Sequence, residues 1–318
     1  MSLKFDLLEN LEIAERDSLT KSQKKLKMYD ISFVAAAIVL CCIMLMFTYK
    51  YSGNVPVMIF QLVFPLIAVE GLLMFLRQNE LIRFLKMYKT KVVPTLLKRV
   101  SPHIIYSPDV YVMPSIYDSS SLKIPYDKYL GEDYVAANLS KNNCRYGIEM
   151  SQITLQKEQN YKNSHGKIRY ISVFKGVFVH ANLTKAYPGT IKIISNESAI
   201  DSFSRKLVDK NQKVNLDSPQ FEEVYDVYSN DQINVRRMLT PANMSDILDI
   251  TKALNVKIEM SIEGSNMYIS FKHPEFLDFY SKKELVDEEK AEKDLDLITK
   301  VFKIVDTACE NVEKLVIE

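Results

Sequence analysis

Two long apolar runs dominate the early part of the chain, and short alternating runs replace them further on. Ile31 to Tyr49 reads ISFVAAAIVLCCIMLMFTY, nineteen residues without a charge. At 1.5 Å per residue such a helix spans about 28 Å, close to the hydrocarbon thickness of a bilayer. Val55 to Leu76 is again long enough to cross, although it carries Gln61, Pro65 and Glu70. Pro65 has no amide proton to donate to the Gln61 carbonyl, which predicts a kink. A charged segment precedes the first run and no small-residue cleavage site follows it, which argues against a cleaved signal peptide. The second run argues against a lone buried globular helix. Ser32, Ala36, Ala37 and Cys41 have the small-residue spacing that lets membrane helices approach closely.

From about Ser101 the pattern shortens to tyrosine-rich segments with partial alternation. Strands are predicted at Ile104–Tyr106, Tyr134–Leu139, Tyr146–Leu155, Lys167–Asn182 and, after Pro188-Gly189, Thr190–Ile194. Asn163-Ser-His-Gly166 reads as a hairpin turn. Strands this close together in sequence imply an antiparallel sheet, because parallel neighbours need long crossovers. Helices are predicted over Ser195–Val208, from the capping-box pattern Ser229-Asn-Asp-Gln232 through Leu239, and after Thr240-Pro241 with Met244, Ile247, Leu248, Thr251 and Leu254 inward. Val256–Ile262 and Met267–Phe271 read as a hairpin around Glu263-Gly-Ser-Asn266.

At the C-terminus Leu295, Ile298, Phe302, Val305, Cys309, Val312 and Val316 repeat at alternating steps of three and four. That seam fits either a coiled coil with another chain or an amphipathic helix docked on its own sheet. Leu3, Leu7, Leu11 and Ala14 form a similar face at the other end of the chain.

Charge gives the runs a direction. Lys21, Lys24, Lys25 and Lys27 precede the first span, and Arg77, Arg83, Lys86, Lys89, Lys91, Lys98 and Arg99 follow the second. The connection Lys50-Tyr-Ser-Gly-Asn54 holds a single lysine, so the positive-inside rule places both termini in the cytoplasm of a multi-pass cell-membrane protein. The predicted organisation is a cytoplasmic N-terminal helix (1–30), a transmembrane helix (31–49), an external loop (50–54) and a second transmembrane helix (55–76). A basic juxtamembrane helix (77–100), a cytoplasmic α+β domain with a mainly antiparallel sheet (101–280) and a C-terminal amphipathic helix (281–318) complete it. Arg83, Lys86, Lys89 and Lys91 are candidate contacts for anionic lipid. A formal net charge of +1 argues against a nucleic-acid partner, and 47% hydrophobic residues argue against a disordered chain.

Candidate chemistry is sparse. Cys41, Cys42, Cys144 and Cys309 show neither zinc nor CxxC spacing, and His103, His165, His180 and His273 fall in no ligand motif, so no metal or other cofactor is expected. Glycine is too scarce for a phosphate-cradling loop. Glu70 is either an intramembrane functional carboxylate or a side chain snorkelling toward the inner interface near Arg77. Arg236-Arg237, beside Asp231 and Gln232, form the best polar constellation: a candidate contact for an anion or partner, or an internal salt bridge.

Phe174-Lys-Gly-Val-Phe178, Thr190-Ile-Lys-Ile-Ile194, Leu216-Asp-Ser-Pro-Gln-Phe-Glu222, Val227-Tyr-Ser-Asn-Asp-Gln232 and Leu239-Thr-Pro241 follow in an order that resembles a bacterial two-pass membrane family known only as "domain of unknown function 3137". Gly131-Glu-Asp-Tyr-Val135 looks like the same family, and the resemblance covers roughly residues 120 to 275. Ala137-Asn138 departs from it where a glycine-containing turn is expected. The resemblance implies a fold and a membrane setting without a reaction. The expected function is a membrane-anchored cytoplasmic binding or scaffold module, with a protein partner or self-association through 281–318. The alternatives are a membrane-bound enzyme with a dispersed site and an accessory subunit of a transport system.

Overall fold

A computed structural model describes residues 13–50, 55–141, 144–159, 168–196, 212–280 and 287–317. The chain divides into two compact units, Met1–Thr95 with Phe279–Glu288, and Leu96–Asp278 with Glu289–Glu318. In the first unit α1 (Ile13–Lys50) and α2 (Val55–Met87) run antiparallel. Their ion pairs show the direction: Glu15 meets Lys91 at 2.6 Å, Lys25 meets Glu80 at 4.0 Å and Asp30 meets Arg77 at 2.5 Å. Rising numbers on one helix meet falling numbers on the other. Along this charged section Leu19, Leu26, Phe84, Tyr88 and Val92 are buried, and Phe84 packs on the Tyr280 ring at 5.1 Å. Past Asp30 and Arg77 the pattern inverts, and Ile31 (70%) and Phe75 (63%) stand exposed. Among the described residues one stretch, Glu15–Ile43, is long and apolar enough to cross a membrane. The α2 backbone continues through Pro65. A π-helical turn at Tyr88–Val92 and α3 (Val93–Leu97) follow it.

The second unit is an α+β domain on one seven-stranded sheet with every recorded pairing antiparallel. Its elements are β1 (Ile105–Ser107), α4 (Pro114–Ser119), β2 (Lys128–Lys141), β3 (Cys144–Gln159), β4 (Arg169–Ser195) and β5 (Gln212–Lys213). They continue with α5 (Pro219–Glu222), β6 (Tyr225–Ser229), α6 (Gln232–Met238), α7 (Pro241–Leu254), β7 (Ile258–Phe271) and α8 (Glu288–Ile317), whose first residue lies in the other unit. The order is β1-β2-β3-β4-β6-β5, with β7 also paired to β4.

Two expected reversals are corrected. Thr190–Ile194 is no separate strand, because β4 runs through Pro188-Gly189 with register shifts between Asn182 and Thr190. Glu263-Gly-Ser-Asn266 is no hairpin turn either. Gly264 adopts φ +58° opposite the irregular part of β4, and β7 stays paired with β4 on both sides of it. The register shifts there are those of a bulge in which a left-handed glycine disrupts the ladder. Ala137-Asn138 lies within β2, opposite Ile148 and Gly147, in keeping with the strand expected over Tyr134–Leu139.

The capping box also shifts. The cap of α6 is Asp231, whose carboxylate accepts from the Ile233 and Asn234 amides, while Ser229 Oγ accepts from the Asp231 amide. Asp231→Ala is expected to cost about 1 kcal/mol, read as a fall of about 3 °C in the melting temperature. Thr240 caps α7 with Pro241 in the first turn, and Met244, Ile247 and Leu248 face inward as expected. The turn at Asn163–Gly166, the helix after Ser195 and the Leu3–Leu7–Leu11 face lie outside the described residues, and Ser195 itself closes β4.

The back face of the sheet carries α8. Tyr146 donates to Asp306 at 2.7 Å, and Lys185 meets Glu313 at 3.1 Å. Ile298, Phe302, Val305, Cys309 and Val312 of the heptad seam are buried, and so are Leu297, Val301, Ile304 and Ala308 beside them. A stripe this broad is the mark of a helix docked on a core. On the front face, a strap from Val112 to Tyr126 lays Val112, Tyr117 and Leu122 over Ile153, Leu155, Phe178 and Tyr268.

Candidate functional site

The strap leaves the other end of the front face open. Strand register builds that floor in rows. Ile105, Ala136, Glu149, His180 and Tyr268 are successive partners across β1, β2, β3, β4 and β7. One step along the strands, Asn138, Gly147, Asn182 and Asn266 form the next row. A side chain directs its bulk to one face at every second residue, so both rows project to the same side.

The rows enclose an open groove of about 570 Å³, whose lining includes His103, Tyr134, Asn138, Gly147, Glu149 and His180. A neighbouring hollow of about 580 Å³ shares Asn138, Gly147 and Asn182 and adds Ser140 and Arg145. Both volumes fall in the range of small-ligand sites. A further cavity of about 40 Å³ lies against Ile191, Ile247, Met260 and Ile304. It has room for little beyond water-sized guests, and Asn243, Asp246, Ser261 and Thr307 interrupt its largely apolar wall.

His180 is the hub of the groove. Its Nδ1 lies 2.9 Å from Glu149 Oε1 and its Nε2 3.0 Å from Asn266 Oδ1, and the ring stacks on Tyr268 at 5.3 Å. Tyr134 donates its hydroxyl proton to Glu149 Oε2 at 3.0 Å. Both imidazole nitrogens thus face oxygen acceptors, an arrangement that the doubly protonated ring satisfies best. Burial disfavours the charged ring, but the bonds to Glu149 and Asn266 and the Glu149 charge outweigh it and raise the His180 pKa. The bond from His180 holds Glu149 below the usual carboxylate range, against burial and with help from Tyr134. Burial and the bond to Glu149 push the Tyr134 hydroxyl up to about 12.

These shifts have opposite signs and define a window. The contribution of Glu149 is complete above its ordinary value of 4.5 and is lost as pH falls through its lowered folded value. That of His180 is complete below its ordinary value of 6.5 and is lost as pH rises through its raised folded value. The melting-temperature gap between the wild type and Glu149→Gln/His180→Gln is expected to be widest between those two ordinary values and to narrow on either side. A gap constant with pH would show that the pair carries no charge coupling.

The expected site residues are not brought together here. Arg236 donates from Nη1 to the Gln232 carbonyl at 2.8 Å and from Nη2 to the Asn215 carbonyl at 3.2 Å, so its guanidinium is engaged within the domain. Arg237 lies close enough to Asp231 to lower its pKa, after the bonds from Asn234 and Ile233. Glu70 is half-buried on α2, and Arg77 pairs with Asp30. Arg83 lies 3.9 Å from Glu80, Lys91 pairs with Glu15, Lys86 is exposed and Lys89 half-buried. Among the described residues no group of His, Cys, Asp or Glu is arranged to hold a metal ion. Glu149 and His180 escaped the sequence because 31 residues separate them. The one local signal was a histidine inside the apolar run Val177-Phe-Val-His-Ala181.

Fold and groove together define an α+β domain whose antiparallel sheet is capped on one face and open over part of the other. Residues 172–308 match the family model described as "Protein of unknown function (DUF3137)". The match takes in β4, β6, β7 and most of α8. No curated protein and no solved structure matches the chain.

Proposed function

We propose that this chain is a two-pass membrane-anchored binding module, with both termini cytoplasmic and a partner held at the front-face groove. The observation that carries the anchor is the inversion at Asp30 and Arg77. Paired charges and buried apolar residues on one side give way to exposed Ile31, Ile38, Leu72 and Phe75 on the other. An exposed apolar surface this long on paired helices suits lipid and not water. The basic excess beyond Arg77 sets the orientation.

Helix geometry narrows the lipid contacts. With Leu76 at the interface, Arg83 lies about 10 Å beyond it and Lys91 about 22 Å, if the helix stands upright. Arg83 is then within reach of headgroups, and Lys91 serves the ion pair with Glu15. The groove supports a binding role because it combines a volume suited to a ligand with exposed amides at Asn138 and Asn182.

Membrane extraction with alkaline carbonate and cysteine labelling test the anchor. The chain is expected to stay with the membrane pellet. In a background with Cys41 and Cys42 replaced by alanine, Ser52→Cys is expected to react with an impermeant maleimide on intact cells and Ser119→Cys only after lysis. Release by carbonate, or labelling of Ser119→Cys on intact cells, overturns the reading.

A further inference from the structure

Resting on the binding-module reading, we infer that the groove takes an extended acidic peptide, with its main chain laid over Gly147 and a carboxylate on Arg145. Gly147 is the centre of the floor. Asn138 flanks it on β2 and Asn182 on β4, both exposed, with no side-chain hydrogen-bond partner among the described residues. Gly147 interrupts that row of amides with a strip that has no side chain. A peptide plane presents one donor and one acceptor on opposite edges, which matches amides on both sides of a bare strip. The floor from Ile105 on β1 to Asn182 on β4 crosses three inter-strand steps, about 14 Å, or about four extended residues.

Charge selects among peptides. Glu149 Oε1 lies 2.9 Å from His180 Nδ1, so its charge is directed at the imidazole and is balanced when that ring is protonated. Arg145 has no acidic partner among the described residues: its backbone amide donates to Thr184 Oγ1, and its side chain is exposed. The hollow therefore keeps one unpaired guanidinium, a group suited to planar bidentate recognition of carboxylate. Other ligands fit less well. A sugar ring stacks best on an exposed aromatic plate, whereas Tyr268 and Phe178 are covered by His180 and the strap, and Tyr134 is half-buried with its hydroxyl tied to Glu149. A multiply charged headgroup needs clustered cations, and among the described residues Arg145 is joined by no second arginine or lysine in either lining.

The test uses the full chain in detergent and fluorescein-labelled octapeptides that alternate serine with aspartate, lysine or asparagine. Fluorescence polarisation is expected to show the aspartate peptide binding about tenfold tighter than the lysine peptide. Arg145→Gln should erase that preference while leaving the asparagine peptide unchanged. Gly147→Val should weaken all three peptides while the melting temperature stays close to that of wild type, because a Cβ there meets only the side-chain oxygen of Asn138, at 3.3 Å, and a β-branched residue suits a strand. Equal binding of acidic and basic peptides, or a preference that survives Arg145→Gln, overturns the inference. So does displacement of the aspartate peptide by inorganic phosphate at equal concentration, which marks a free-anion site. Photo-crosslinking from position 182 in cells separates the two claims. A crosslink abolished by Gly147→Val alongside no acidic preference defeats only the peptide chemistry, and no crosslink defeats binding at the groove itself.

Discussion

Gly176→Ala is expected to lower the melting temperature of the full chain by about 10 °C, corresponding to about 3 kcal/mol for a domain of this size. A Cβ at Gly176 would overlap the Phe271 carbonyl oxygen and would lie 2.9 Å from Lys272 Cα and 2.8 Å from Phe174 Cζ. Two of those atoms are backbone, so no rotamer change relieves the overlap. Relief requires β7 to move away where the Val177–Phe271 pairing begins, and that pairing orders the rest of the β4–β7 ladder. Thermal melts followed by circular dichroism measure the effect, with Gly147→Ala as the control. Its Cβ has an ordinary strand environment apart from one side-chain oxygen, so its melting temperature should stay within about 2 °C of wild type. Equal melting temperatures for the two variants would mean that β7 yields at no cost.

That prediction also gives Phe174-Lys-Gly-Val-Phe178 a physical meaning. Phe174 and Phe178 fill the front core, Val177 is buried, and Gly176 admits the neighbouring strand. The motif was legible in the chain and its reason was not, because the second strand arrives from nearly a hundred residues later. The same limit explains the two misplaced reversals. Pro188-Gly189 and Glu263-Gly-Ser-Asn266 have turn chemistry, and a bulge uses the same residue types as a turn. Only the opposing strand decides between them. Here β4 and β7 carry their irregularities at matching positions, so both continue.

The C-terminal seam shows a different ambiguity. A heptad of apolar residues satisfies a partner helix or a sheet equally well, and the deciding residues lie beside the seam. Leu297, Val301, Ile304 and Ala308 broaden the stripe beyond what a two-stranded coil uses, and all are buried in the domain. Candidate-site residues were hardest to read because strand register assembled them. Glu149 reads as an ordinary polar position in an alternating strand until His180 is placed opposite it. Arg236 and Arg237 were conspicuous as a pair, yet Arg236 is spent on backbone carbonyls.

Lys192→Met is expected to cost about 3 kcal/mol, and the double variant Lys192→Met/Glu259→Met to recover at least half of it. Lys192 is 3% exposed, lies opposite Ser261 on β7 and donates to the Ser121 carbonyl at 2.7 Å. It therefore pins the strap to the sheet. Burial lowers its pKa, and the charges of Glu259 and Glu263 act in the opposite direction. Methionine fills much the same volume but removes the cation, leaving Glu259, itself 8% exposed, as a buried carboxylate without that compensation. Such a carboxylate prefers its protonated form, so its pKa in the folded variant rises. The folded variant then binds a proton more tightly than the unfolded chain, and its stability falls as pH rises through that raised value. The deficit against wild type should accordingly be smaller at about pH 5 than at about pH 8. Chemical denaturation of the wild type, Lys192→Met and the double variant at both pH values measures all three effects. A double variant no more stable than the single one would show that Lys192 acts through Ser121 alone. A deficit independent of pH would remove Glu259 from the account.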